Sequence, residues 1–74
     1  MAVRPMSLLR AGEEAVVIEI RGGRGLQGRL TSMGLTPGKK VRMVNSSFGG
    51  PAVVAVGDTR LALGRGQLHR VLVE

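Results

Sequence analysis

Residues 24–38, which read RGLQGRLTSMGLTPG, decide the fold of this chain. Leu26, Leu30 and Met33 fall at positions i, i+4 and i+7, so they line one face of a short helix. Gly34 follows the last of them, at the place where a glycine in the left-handed conformation commonly ends a helix. The stretch therefore predicts one short helix that stops sharply and turns towards a strand.

Short β-like segments lie on both sides of this helix. β-branched and aliphatic residues are concentrated in five predicted strands, at residues 13–21, 39–45, 51–56, 59–63 and 70–74. Pro37-Gly38 predicts a type II turn and Gly57-Asp58 a type II′ hairpin turn. We also expect an apolar flap over residues 6–12, through Leu8 and Leu9, and one 3₁₀ turn within 64–68. The pattern predicts a mainly β, SH3-like barrel with a helical insertion after the first strand, as a single domain over residues 1–74.

Composition limits the possible functions. A chain of 74 residues buries a thin core, and without cysteine it has neither a disulfide nor a thiolate ligand for metal. Phe48 is the only aromatic residue, which disfavours stacking on nucleotide bases. The net charge of +6 favours an anionic partner, whether nucleic acid, an anionic lipid surface or an acidic protein face. Only Lys39, Lys40 and Arg42 cluster tightly, so a soluble domain that is merely basic is an equal alternative.

The motifs that could indicate nucleotide or metal binding or catalysis lack the neighbouring residues that these functions require. Residues 23–28 match G-x-G-x-x-G, but no acidic residue follows at the spacing that a dinucleotide site needs. Residues 34–40 lack the spacing of a phosphate loop. His69 is the single histidine, and the adjacent Glu13 and Glu14 would point to opposite faces of a strand. We therefore expect no enzymatic activity, no cofactor and no metal site.

The sequence contains no segment that predicts a membrane span. Its longest apolar run, Ala52–Val56, is far shorter than the ~20 residues that a helix needs to cross a bilayer. Residues 1–5 are not followed by the apolar region of a secretory signal. We expect a cytoplasmic protein.

The chain resembles the FeoA family, small cytosolic proteins of bacterial ferrous-iron uptake, from about Ser7 to Val73. The matching positions are turn glycines and core aliphatics in a specific order: Leu8-Leu9, Gly12, Ala15–Ile20, Arg29-Leu30, Met33-Gly34-Leu35, Pro37-Gly38, Gly50-Pro51, Val53–Val56, Leu61–Gly64 and Val71–Val73. The resemblance implies an SH3-like adaptor that works with FeoB, a membrane permease with a cytosolic GTP-binding domain, in Fe²⁺ transport. Transition-metal binding is implied only at the level of the family. The same barrel occurs as the C-terminal domain of iron- and manganese-dependent repressors. These 74 residues do not include a DNA-binding half, so we do not expect a repressor role for them alone.

Our hypothesis is a module that binds FeoB through a groove beside the helix, at the inner face of the membrane. The candidate contact residues are Arg24, Leu26, Arg29, Leu35 and Lys39, whereas Leu30 and Met33 are assigned to the core. The rival hypothesis is a basic SH3-like barrel that binds nucleic acid through phosphate contacts, which clustering of charge on one face would favour. Iron chaperoning is disfavoured because metal ligands are few, and weak self-association is left open.

Overall fold

Six strands, two α-helices and one 3₁₀ turn make up the part of the chain that the structure, a computed structural model, describes: residues 2–46 and 50–74. In chain order they are β1 (Arg4–Pro5), the 3₁₀ turn Met6–Leu8, β2 (Glu14–Ile20), α1 (Arg24–Ser32), β3 (Lys40–Ser46), β4 (Ala52–Val56), β5 (Thr59–Leu63), α2 (Arg65–Arg70) and β6 (Val71–Val73). The predicted mainly β fold with one helix between strands is confirmed. Phe48 lies outside the described residues.

Strand β2 connects the two halves of the sheet, whose strand order is β1-β6-β2-β3-β4-β5 with every pair antiparallel. The first residues of β2 pair with β3, from Glu14 opposite Arg42 to Val16 opposite Lys40. Its later residues pair with β6. The pairing register shifts between Val17 and Glu19, and such irregularities bend a strand and increase its twist. Because of this bend, β2 can pair with β3 in one half of the sheet and with β6 in the other.

The register shift also changes which side chains of β2 face the core. Ala15 and Val17 are buried before it and Ile20 after it, whereas Val16 and Ile18 are about one-third exposed. A regular strand would have kept residues of one parity inside. At the bulge, the buried positions of β2 therefore change from odd-numbered to even-numbered residues.

Among the described residues, the core is one cluster of aliphatic and methionine side chains. Its buried members are Met6, Leu9, Ala15, Val17, Ile20, Leu30, Leu35, Val41, Met43, Ala52, Val54, Val56, Leu63, Leu68, Val71 and Val73. The predicted flap is right for Leu9 but wrong for Leu8, which is 61% exposed. A 3₁₀ turn has about three residues per turn, so Met6 and Leu9 share its inner side and Leu8 points away.

The segment before β6 is longer and more regular than expected. In place of one 3₁₀ turn, residues Arg65–Arg70 form helix α2, with Leu68 fully buried. The side-chain carbonyl of Gln67 accepts a hydrogen bond from the Gly64 backbone N–H at 3.1 Å, which satisfies a donor just before the helix. Burial of Leu68 and this bond together favour a continuous helix.

Candidate functional site

Helix α1 ends in a Schellman motif. Gly34 has φ +99°, in the left-handed region where glycine meets no Cβ penalty. Its N–H donates to the Thr31 carbonyl at 2.9 Å, and the Leu35 N–H donates to the Leu30 carbonyl at 3.0 Å. These are the two bonds that define the motif, so the prediction for Gly34 is confirmed.

The cap draws Leu35 into the core, which corrects one predicted contact residue. The Leu35 side chain is fully buried, as is that of Leu30, with which the motif characteristically places it in contact. A side chain in that position is not available to a partner. Leu35 therefore belongs to the packing that holds α1 and not to its outer surface.

The following turn attaches α1 to the sheet. Gly38 has φ +91° and the Lys39 N–H donates to the Thr36 carbonyl at 3.0 Å, as in the predicted type II turn. The Gly38 N–H then donates to the Val17 carbonyl at 2.7 Å, and the Val17 N–H donates to the Lys39 carbonyl at 2.9 Å. Backbone bonds to the middle of β2 thus fix the end of the helix.

Two apolar side chains of α1 remain partly exposed. Leu30 is fully buried, but Leu26 and Met33 are only half-buried at the edge of the core. Leu26 packs over Gly22, where a Cβ atom would lie 2.8 Å from the Leu26 Cδ2. Met33 was assigned to the core, so its partial exposure adds an apolar residue to the candidate surface.

Arg29 lies between these two residues on the same side of the helix. It is three positions after Leu26 and four before Met33, the spacings at which helical side chains are neighbours. We call Leu26, Arg29 and Met33 the α1 strip. Arg29 is exposed and forms no ion pair with any residue that the structure describes. It stands in the last turn of α1, where a cation interacts favourably with the helix dipole.

The other two charged candidate contact residues lie away from this strip. Arg24 and Lys39 are both exposed. Arg24 begins α1 and is five positions before Arg29, which places the two side chains about 140° apart around the helix axis. Lys39 follows the turn and precedes β3. The structure therefore groups Arg29 with Leu26 and Met33, whereas Arg24 stands on another side of α1 and Lys39 lies between the turn and β3.

Acidic side chains are absent from the helix and its turn, since no Asp or Glu lies between Glu19 and Asp58. Elsewhere, Arg4 pairs with Glu13 at 3.2 Å and Lys40 with Glu14 at 3.5 Å. A hydrogen bond from the Arg10 backbone N–H, followed by one from the Arg4 guanidinium, lowers the pKa of the Glu13 carboxyl below its ordinary value. The α1 strip thus keeps an uncompensated positive charge.

Metal ligands do not converge in the described residues, where no three His, Cys, Asp or Glu side chains lie close enough to hold an ion. The Nδ1 atom of His69 is 2.8 Å from the Ser7 Oγ, and the two form a hydrogen bond. The expectation that the chain has no tight metal site stays a prediction. No helix within residues 2–46 and 50–74 has the length and hydropathy to cross a membrane.

Comparison with known proteins gives concordant matches over nearly the whole chain. The sequence model of the family described as "FeoA domain" matches residues 4–74. A Fe(2+) transport protein A of Methanocaldococcus jannaschii is 33% identical over 70 residues, which are 95% of this chain and 84% of the relative.

Solved structures agree in both sequence and shape. The crystal structure of an iron uptake regulatory protein (FeoA) is 38% identical, with a TM-score of 0.93 over 99% of this chain and 97% of that one. FeoA of Stenotrophomonas maltophilia, described as a prokaryotic SH3-domain protein and crystallised with zinc, is 33% identical. Its TM-score is 0.83, over 95% of this chain and 88% of that one. The SH3-like character of the barrel is thereby confirmed.

Proposed function

This chain belongs to the FeoA family, and on that premise we propose that it is an accessory protein of ferrous-iron transport that docks on the cytosolic part of the permease FeoB. The family match over residues 4–74 is the observation that supports the link to iron transport most strongly. The M. jannaschii relative, named as an Fe(2+) transport protein, points to the same process. Binding to FeoB would hold the protein at the inner face of the membrane.

The docking surface that we propose is the α1 strip. Arginine and methionine are enriched at protein interfaces. The residues that contribute most of the binding free energy lie in well-packed, desolvated parts of an interface, and arginine is common among them. Leu26 and Met33 offer partly exposed apolar area on either side of Arg29. Arg24 and Lys39 are exposed outside the strip, and their positive charge would speed association with an acidic partner surface.

The mode of action we propose is contact and not chemistry on the ion. Fe²⁺ is the cargo of the transport system, and the accessory protein would influence the permease by binding it. Arginine–carboxylate pairs and burial of Leu26 and Met33 would supply the binding energy. Binding of this kind requires α1 to keep a fixed position on the barrel. The Schellman motif and the turn that follows it fix that position.

Titration of the FeoB cytosolic domain with single-residue variants tests this proposal. Arg29→Ala should weaken binding by roughly tenfold, because it removes a charged contact at the centre of the surface. Its melting temperature should stay near that of the parent, since the Arg29 side chain has no ion pair among the described residues. Leu26→Ser should also weaken binding.

Arg10→Ala is the matched control, because Arg10 is exposed and uses its backbone N–H, not its side chain, to bind Glu13. It should change the affinity by less than about twofold, as expected of an exposed charge outside the interface. Equal losses in Arg29→Ala and Arg10→Ala would show that net charge alone governs binding. Unfolding of the barrel by Arg29→Ala would make Arg29 structural and remove the proposed surface.

The rival function, nucleic-acid binding, is not proposed. Exposed cations stand on different elements, among them Arg10 before β2, Arg29 on α1, Arg42 on β3 and Arg70 on α2. A duplex is bound most readily by a single basic stripe. The spread of charge in the described residues does not favour such a stripe.

A further inference from the structure

The outer face of strands β2 to β5 carries four side chains in one line. Glu14 is paired with Arg42, Arg42 with Ala55, and Ala55 with Arg60, each across neighbouring antiparallel strands. Directly opposite residues of such strands share a face of the sheet. The neighbours Val41, Val54 and Val56 are buried, so the line faces outward. We call Glu14, Arg42, Ala55 and Arg60 the arginine row.

The two arginines of the row stand on either side of a small residue. Neighbouring strands are about 4.8 Å apart, so the Arg42 and Arg60 backbones are separated by roughly 10 Å across Ala55. A groove of about 300 Å³ lies on the Arg42 side of Ala55, lined by Glu14, Lys40–Arg42, Ala55 and Gly57. Because Ala55 has a small side chain and Gly57 has none, the bottom of the groove lies close to the backbone. Arg42 lines this groove, and Arg60 stands on the other side of Ala55, so an extended segment that crosses Ala55 could contact both arginines.

Arg42 and Arg60 are exposed and have no ion-pair or side-chain hydrogen-bond partner among the residues that the structure describes. Glu14, the acid of the row, is 3.5 Å from the Lys40 Nζ. Lys40 lies two residues from Arg42 and on the same face, and Asp58 stands in the turn after β4. This face of the sheet therefore carries a net positive charge, and neither arginine guanidinium is paired with a carboxylate of the described residues.

We propose that the arginine row is a docking surface for an acidic segment of a protein partner, with carboxylates bound by Arg42 and Arg60 on either side of Ala55. The guanidinium is a planar fork that matches a carboxylate with two parallel hydrogen bonds. Ala55 lets the backbone of such a segment approach the sheet. The surface differs in residues and in face from the α1 strip, and it goes beyond the proposed contact with FeoB.

Charge complementarity selects a protein over a nucleic acid or a membrane. Glu14 stands in line with the arginines and would repel a continuous polyanion, whereas a protein can place a cation opposite it. Anionic lipid surfaces are typically bound by clusters of about four to eight basic residues, and this face offers Lys40, Arg42 and Arg60.

The test is a titration of the ¹⁵N-labelled chain with a synthetic peptide in which glutamates alternate with serine and alanine. Amide shifts should concentrate on β3, β4 and β5. The double variant Arg42→Ala/Arg60→Ala should weaken peptide binding by roughly tenfold, the loss expected when two exposed ion pairs are removed.

A matched control is Arg21→Ala/Arg70→Ala, which also lowers the net charge of +6 by two. Arg21 follows the end of β2 opposite to Glu14, and its backbone N–H donates to the Arg70 carbonyl at 2.7 Å. The control should bind the peptide within about twofold of the parent, since its arginines are away from the row. Short duplex DNA and phosphatidylserine vesicles, added in separate arms, should bind more weakly than the peptide.

Three results would overturn the proposal: equal loss of peptide binding in the two double variants, shifts spread evenly over the surface, or tighter binding of DNA or vesicles that depends on Arg42 and Arg60. The α1 proposal is tested with FeoB and with Arg29→Ala. A failure of one surface is therefore distinguishable from a failure of the other.

Discussion

Gly34→Val should destabilise the protein by roughly 1–3 kcal/mol, the free energy of holding a non-glycine residue in a disfavoured backbone region. The reason is that Gly34 sits at φ +99°, which the Schellman motif requires. A Cβ at this position would be 3.7 Å from the Val56 Cγ1, an ordinary contact, so the backbone and not a clash of Cβ accounts for the first part of the loss. The γ-methyl groups of valine would add crowding against Val56.

Gly28→Ala is an informative comparison, because it adds a methyl group six residues earlier in the same helix. Gly28 lies inside α1, it does not have a positive φ, and a Cβ there would have no atom within 4 Å. Alanine is favoured over glycine in a helix interior by about 0.8–1.0 kcal/mol. Gly28→Ala should therefore stabilise the protein, while Gly34→Val destabilises it.

Thermal melting followed by circular dichroism measures both changes. In a domain of this size each kcal/mol moves the melting temperature by roughly 4–8 °C, so the two variants should shift in opposite directions by at least about 3 °C. If Gly34→Val melts like the parent, the placement of the helix end is wrong. If Gly28→Ala also lowers the melting temperature, α1 is not stabilised by helix propensity as argued.

Two further predictions concern the ionisable and metal-ligating groups. Glu13→Gln should lower the melting temperature at neutral pH, because the bonds from Arg10 and Arg4 lower the folded-state pKa of Glu13. That stabilisation is present above the ordinary pKa of about 4.3 and disappears as the pH falls through the lower folded value, so the gap to the parent should close as the medium is acidified past that value. A gap that is constant over this range would contradict the assignment. Anaerobic calorimetry with Fe²⁺ should show no stoichiometric micromolar site in the isolated monomer, because the chain has one histidine and no cysteine, and such a site would refute the prediction.

The features that could be predicted from the sequence are those fixed by neighbouring residues. The end of α1 depends on a short apolar stripe followed by Gly34, and the turn after it depends on Pro37 and Gly38. Both lie within one stretch, so their chemistry is visible in the order of the residues. Gly57 likewise has φ +60°, while no described non-glycine residue has a positive φ, which fits the predicted type II′ turn with Asp58.

The features that were missed depend on contacts between distant parts of the chain. Strand β1 has only two residues, Arg4 and Pro5, and exists because β6 pairs with it. The bulge in β2 reflects the need of one strand to pair with both β3 and β6. The arginine row requires the pairing registers of four strands, which no local spacing reveals. Met33 in the α1 strip could have been found, since it stands four positions after Arg29 on a predicted helix.

The backbone of Val17 links the turn after α1 to strand β2, and α1 and β2 each carry residues of one proposed surface. Its carbonyl accepts the Gly38 N–H and its N–H donates to the Lys39 carbonyl, while its side chain is fully buried. The orientation of α1 relative to the sheet is thus set by main-chain bonds and core packing. Side-chain changes at Arg29 or Arg42 leave these bonds intact, because both residues are exposed and neither takes part in them. Each surface can therefore be altered without moving the other, so a loss of binding in either set of variants reports on the contact itself.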